Sequence, residues 1–113
     1  MIIEVIPPKN WSSFLEYFSQ LHRELICSIE ILDGPSELIA GEHLKFSSIS
    51  LMDGPAADLN IIADADGKEI NHQVRNIKQI CITRNNGGNE SSIMIESAED
   101  FVTSLNFTSN ENL

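Results

Sequence analysis

The hydrophobic residues beyond position 26 occur almost entirely in short, alternating runs that end in turns. In the first of these runs Cys27, Ile29 and Ile31 alternate with other residues, and Asp33-Gly34-Pro35 follows. A period of two residues is typical of a half-buried strand, and clusters that contain glycine and proline end strands. No helical pattern separates the runs, whereas parallel strands need a crossover connection. This pattern therefore favours an antiparallel sheet.

The later runs extend the same pattern and define the expected hairpins. Strands are predicted near 44–51, 59–63, 70–74, 80–82, 93–95 and 101–107, and the N-terminal segment 1–8 is interpreted as an opening strand. The alternation slips at Ser47-Ser48, which predicts a bulge or sharp bend. Asp66-Gly67 and Asn86-Gly87 lie between neighbouring runs, and such dipeptides favour tight hairpin turns. Beyond position 26 we therefore expect six or seven short strands.

One segment has helical periodicity instead. Its apolar positions, spaced by one, three or four residues, are Trp11, Phe14, Leu15, Phe18, Leu21 and Leu25. This spacing places them on one stripe of a helix. Prolines at 7 and 8 suit the entry to a helix and Asn10 can cap it, so a helix is predicted at residues 9–23. The stripe is expected to lie across the sheet.

These elements predict an α+β fold in which one N-terminal amphipathic helix packs on a strongly bent six- or seven-stranded antiparallel sheet. Closure into a small SH3- or Sm-like barrel would remove the exposed edges of the sheet. An open sheet with the helix on one face is the alternative. A chain of 113 residues is the usual size of one domain. We assign residues 1–107 to a single domain and 108–113 to a flexible polar tail.

The charge balance argues against polyanionic partners. The chain has 7 basic and 17 acidic side chains and a formal net charge of -10. Phosphate recognition depends on Lys and Arg, so general binding to nucleic acid or to anionic membranes is not expected. No apolar run approaches the length of about 18 residues needed for a membrane helix. The protein is predicted to be cytoplasmic, and Cys27 and Cys81 to be buried free thiols.

Catalytic and metal-binding patterns are weak in this sequence. No serine lies in a Gly-x-Ser-x-Gly motif, and the carboxylate pairs fall in predicted turns, whereas a general acid usually needs a dry pocket. Residues 64–69 resemble the middle of a calcium loop, but the flanking ligand positions hold the wrong residue types. The three histidines match no zinc signature. The sequence therefore predicts no catalytic residue, metal site or cofactor.

The leading hypothesis is a non-catalytic binding or accessory module. It would contact a protein partner or associate with itself through an edge strand or the helix face. One alternative is a ligand or metal site in a barrel mouth that uses His22 and His72. A second alternative is RNA binding through Arg75, Lys78 and Arg84, because small bent barrels often bind RNA.

The N-terminal segment also carries a family resemblance. Ile6-Pro7, Trp11, Phe14, Phe18-Ser19 and His22 follow the spacing Ile-Pro-x-x-x-Trp-x-x-Phe-x-x-x-Phe-Ser-x-x-His. With weaker matches such as 70–74 and 93–97, the chain resembles the bacterial family of small domains numbered 5335 over about residues 5–107. The family tends to have glycine where Glu24 stands and near Asp100. Its name assigns no function, so the resemblance implies no activity, but it directs attention to the aromatic residues of the helix and to His22 and His72.

Overall fold

The computed structural model describes residues 2–84, 90–98 and 100–107, with the side chain of residue 90 excepted. A 3-10 turn (Pro8–Asn10) leads into one helix, α1 (Trp11–His22). The strands are β1 (Ile2–Ile6), β2 (Ile26–Asp33), β3 (Ser36–Leu51), β4 (Leu59–Ala65), β5 (Lys68–Val74), β6 (Ile77–Arg84), β7 (Glu90–Ser97) and β8 (Phe101–Phe107). All of the strand pairs are antiparallel, which confirms the predicted α+β class.

The eight strands form one open sheet in the order β1-β6-β7-β8-β2-β3-β4-β5. The predicted count of six or seven strands was too low, and the sheet does not close into a small SH3- or Sm-like barrel. The physical reason is the position of β6. It follows β5 after only two residues, but β1 and β7 occupy both of its sides. With no side of β6 left for β5, the sheet keeps two edges, β1 and β5.

Helix α1 packs on the face of the sheet that we call the inner face. Trp11, Leu15, Phe18 and His22 are buried, and the Ser19 hydroxyl accepts a hydrogen bond from the Ile49 backbone N–H (2.9 Å) and donates one to the Ile49 carbonyl (3.0 Å). The observed helix confirms the predicted one to within two residues at its start. Leu21 was predicted in the buried stripe, but it is 55% exposed. His22 takes that place, because the 3.6-residue period of a helix continues from Phe18 to His22.

Strand β3 is twice as long as the sequence pattern indicated. Its register with β4 shifts between Phe46 and Ser48, which confirms the predicted bulge. The stretch 36–41, which was not predicted as strand, pairs with β2 but extends beyond the part of β3 that pairs with β4. This stretch, the free arm of β3, exposes Leu38 and Ile39.

Several turns depend on backbone conformations that L residues rarely adopt. Asp66 and Gly67 have φ of 53° and 86°, as a two-residue type I′ hairpin requires, and the Gly67 N–H donates to the Asp64 side chain (3.0 Å). The segment that resembles a calcium loop is therefore the turn between β4 and β5. Glu24 and Asp100, near which the resembled family tends to have glycine, also have positive φ (71° and 65°). The predicted Asn-Gly turn and the tail 108–113 lie outside the described residues.

The core lies between the inner face and α1, and Cys27 belongs to it. Cys27 and Cys81 are both buried and free, as predicted. Burial raises the pKa of the Cys27 thiol from an ordinary value of 9.0 to about 12, because the thiolate would lose its hydration. This cysteine is therefore a packing residue with little nucleophilic character at neutral pH.

The raised pKa of Cys27 predicts that the fold weakens in alkali. Between pH 9 and pH 12 the unfolded chain loses the thiol proton while the folded protein retains it, so the free energy of unfolding falls as pH rises. At about 1.4 kcal/mol per pH unit, the loss at pH 10.5 is about 2 kcal/mol. Urea denaturation at pH 8.5 and 10.5 measures this change. Between the two pH values, we expect the free energy of unfolding to fall by about 2 kcal/mol more in the wild type than in Cys27→Val. Equal losses in the two proteins would contradict it.

Candidate functional site

His22 lies inside an aromatic cluster at the end of α1. Its ring stacks on Phe18 with centroids 3.9 Å apart and lies 4.7 Å from the ring of Phe107. Its Nδ1 is 2.9 Å from the Phe18 carbonyl oxygen, to which Nδ1–H donates in the neutral ring. The residue is buried, so these contacts assign it a packing role in the core.

His72 lies far from His22. It is half-buried on β5 and lines a groove together with Leu38 and Phe101. Because Phe101 and Phe107 are the two ends of β8, and β8 rises by about 3.4 Å per residue, the two histidines are separated by roughly 20 Å. The structure does not bring His22 and His72 together, so a shared ligand or metal site of the predicted kind does not form.

The three basic residues predicted for RNA binding do not form a patch. Lys78 and Arg84 lie at opposite ends of β6, which again implies a separation of about 20 Å. Lys78 pairs with Glu96 (3.4 Å) and Arg84 with Glu4 (3.3 Å), so an acidic neighbour offsets each charge. Arg75 is exposed in the connection between β5 and β6. This arrangement gives nucleic acid no continuous basic track.

Neither a metal-binding cluster nor a membrane-spanning helix is present in the described ranges. Within 2–84, 90–98 and 100–107, no group of three or more histidine, cysteine, aspartate or glutamate residues has an arrangement that could hold a metal ion. The same part of the chain contains no helix with the length and hydrophobicity needed to cross a membrane.

The outer edge of β1, which pairs with no other described strand, is an exposed apolar surface. Three of its five residues are large and apolar yet more than half exposed: Ile2 (61%), Ile3 (57%) and Val5 (54%). An edge strand presents backbone N–H and C=O groups that another strand can pair with, and proteins usually protect such edges with charges or prolines. Within β1 the single protective charge is that of Glu4, and the nearest proline, Pro7, lies just after the strand.

The hydrogen bond of Trp11 shows which groups of β1 face outward. The indole Nε1–H donates to the Ile6 carbonyl (2.9 Å), so this carbonyl lies on the side away from β6. Successive residues of a strand direct their backbone groups to opposite sides, so Ile2 and Glu4 direct theirs outward as well. Trp11 thus covers one end of the edge and leaves the backbone groups of Ile2 and Glu4 open.

The opposite edge of the sheet differs in character. Strand β5 exposes Lys68, Glu69, Asn71 and Gln73, and its apolar residues face inward. Charged and amide side chains of this kind discourage edge-to-edge pairing. The two edges of one sheet are therefore protected to very different degrees, and β1 is the one open to another strand.

A shallow groove of about 470 Å³ runs between β1 and α1 and adjoins the open edge. Its walls include Ile6 from the strand and Phe14 and Tyr17 from the helix, and Tyr17 is 54% exposed. A strand added to β1 would place its inner-face side chains beside this groove. The edge and the groove together form one candidate surface, which we call the β1 surface: Ile2, Ile3, Glu4, Val5, Phe14 and Tyr17.

The β1 surface was not predicted from the sequence, although residues 2–6 carry a signal for it. Residues 2–6 read Ile-Ile-Glu-Val-Ile, so apolar residues occupy both faces of the strand and do not alternate. Such a pattern is expected in a strand covered on both faces. In this fold β1 lies at an edge, and its outer face remains uncovered.

Comparison with known proteins adds no assignment to this geometry. No family model matches the chain, no curated protein matches it, and no solved structure matches it. The resemblance to the family numbered 5335 stays a prediction.

Proposed function

We propose that the protein is a non-catalytic binding module that associates with a second copy of itself through the edge of β1. The observation that carries this proposal is the exposure of Ile2, Ile3 and Val5 on a strand whose outer side has no partner strand among the described residues. Pairing two edges satisfies open backbone groups and removes apolar surface from water at the same time.

The sequence of β1 is self-complementary in an antiparallel pairing. In the one register that uses all five residues, Ile2 lies opposite Ile6, Ile3 opposite Val5, and Glu4 opposite Glu4 of the second copy. Every apolar residue then faces an apolar residue. The register also brings the outward backbone groups of the two Glu4 residues together. Ile2 of the second copy lies opposite Ile6, whose carbonyl accepts from Trp11 and keeps its second lone pair for the Ile2 N–H. A two-fold axis perpendicular to the sheet would relate the copies, as is usual in dimers.

The groove beside β1 enlarges the contact. In this register Ile2 of the second copy lies opposite Ile6, at the side of the strand that adjoins Phe14 and Tyr17. The contact still uses one short strand and one helix face, whereas stable dimers bury about 800 Å² on each partner. We therefore expect a reversible dimer with a dissociation constant of tens to hundreds of micromolar, the order of weak and transient interfaces.

Glu4 limits the strength of this contact. Two glutamates lie directly opposite each other at its centre, and like charges in that position are unfavourable. Each is paired with Arg84 of its own chain (3.3 Å), which offsets part of the repulsion. Glu4 thus makes the pairing reversible and disfavours continued edge-to-edge aggregation.

Sedimentation equilibrium of the chain between about 10 and 500 µM tests the proposal. We expect the weight-average mass to rise from that of one 12.6 kDa chain towards that of two, and to stop there. Closure at two follows because the two-fold pairing uses the β1 edge of both copies and leaves no β1 edge for a third. A monomer throughout this range, or growth beyond a dimer, would refute this form of the proposal.

We also propose a cytoplasmic location. Cys27 and Cys81 are free thiols, and free thiols persist in reducing compartments. The test is to count free thiols under denaturing conditions in protein from a cytoplasmic extract and in the same protein after reduction. Equal counts support this location. Recovery of the native protein from an oxidising extracellular fraction would oppose it.

A further inference from the structure

The groove that contains His72 is a concavity that lies outside the β1 surface. Its volume is about 380 Å³, which falls in the range of small-molecule sites, about 300–1,000 Å³. The sheet bends until β5 faces β2 and β8 across it. Side chains from five strands, β2, β3, β5, β7 and β8, therefore meet at one place.

The walls of this groove are mainly apolar. Ile31, Leu38, Val74 and Phe101 line it, and of these Leu38 and Phe101 are more exposed than is usual for such large side chains. A ligand with an apolar body would cover the side chains that solvent now contacts, with a gain proportional to the area removed from water.

The polar groups of the groove favour an anionic end on such a ligand. Arg75 is the charged residue in its lining, and a guanidinium can hold a carboxylate with two parallel hydrogen bonds. Burial lowers the pKa of His72, so its imidazole is neutral at pH 7 and can donate one ring N–H to a ligand oxygen.

Ser97 supplies an independent observation. It lines the same groove, is only 3% exposed, and its Oγ has no hydrogen-bond partner among the described residues. Buried hydroxyl groups are normally paired, and an exception calls for an explanation. Rotation about χ1 moves a serine hydroxyl between staggered positions, so Ser97 can present it to a ligand in the groove.

We propose that this groove binds a small organic carboxylate with an apolar body of about eight carbons. The apolar chain lies between Leu38 and Phe101, and Arg75, assisted by Ser97, holds the carboxylate. The inference does not depend on self-association, because the groove shares no residue with the β1 surface.

Calorimetric titration of the intact protein with sodium octanoate tests this site. We expect saturable binding of one octanoate per chain with a dissociation constant below about 1 mM, and binding at least about tenfold weaker for octanol, which lacks the carboxylate. Arg75→Gln should weaken octanoate binding about tenfold, and Ser97→Ala about threefold. Lys78→Gln is the matched control, since it removes an exposed positive charge outside the groove, and its affinity should stay within twofold of the wild type.

The inference is overturned if octanoate does not saturate the wild type by about 10 mM. It is also overturned if octanol binds as well as octanoate, or if Arg75→Gln and Lys78→Gln weaken binding equally. Thermal unfolding of each variant without ligand shows that it is folded, and Ser97→Ala provides a groove variant that removes no charge.

Discussion

Phe18→Ala should cost about 4 kcal/mol of the free energy of unfolding, close to the whole stability of a small domain. Phe18 is fully buried, and its ring contacts Phe46, Phe107 and His22 at centroid distances of 6.2, 5.6 and 3.9 Å. Alanine would leave a cavity at the point where the helix meets β3 and β8. Urea denaturation at low micromolar concentration measures the loss.

Two further variants keep that prediction testable even if Phe18→Ala fails to fold. Phe18→Leu retains most of the side-chain volume and should lower the free energy of unfolding by about 1.5 kcal/mol. Leu21 lies on the same helix but is exposed, so Leu21→Ala should lower the free energy of unfolding by less than about 1 kcal/mol. A Phe18→Leu variant no less stable than Leu21→Ala would show that the aromatic cluster does not hold the helix on the sheet.

The double variant Ile3→Lys with Val5→Lys should abolish self-association. Both residues are on the outer face of β1 and more than half exposed, so the folded monomer should tolerate lysine. In the proposed register residue 3 faces residue 5 of the second copy, so each dimer would contain two lysine pairs in place of apolar contacts. We expect the dissociation constant to rise at least about a hundredfold, measured by sedimentation equilibrium.

A charge-matched control separates this effect from the change in net charge. Leu38→Lys with Ile39→Lys also adds two positive charges, at exposed apolar positions (63% and 49%) on the free arm of β3. This protein should dimerise like the wild type. If both double variants weaken self-association equally, the effect comes from the change in net charge, and the dimer does not form through β1.

Local patterns in the sequence were sufficient to predict the helix and most of the strands. The helix, the bulge after Phe46 and the Asp66-Gly67 hairpin all follow from interactions between residues close in sequence. The exposed free arm of β3 was missed because its residues do not alternate cleanly and Gly41 interrupts them.

The functional surfaces depended on strand order, which local patterns do not determine. Residues 2–6 could be recognised as a strand, but only the pairing of β1 with β6 shows that the other side of β1 is open. The prediction of a shared site for His22 and His72 was wrong for the same reason. It required the two residues to lie at the same end of the sheet. The groove joins Ile31, His72 and Phe101, which come from three separate parts of the chain.

Cysteine cross-linking at the centre of β1 tests self-association most directly. In the proposed register residue 4 faces itself, with Cα atoms about 5.5 Å apart, a spacing that a disulfide can bridge. Glu4→Cys should form a covalent dimer as the main product of mild oxidation, while Gln73→Cys, on the exposed opposite edge, should stay monomeric. Cys27 and Cys81 are buried and should not react. Failure of Glu4→Cys to cross-link, or equal cross-linking of Gln73→Cys, would contradict pairing through β1.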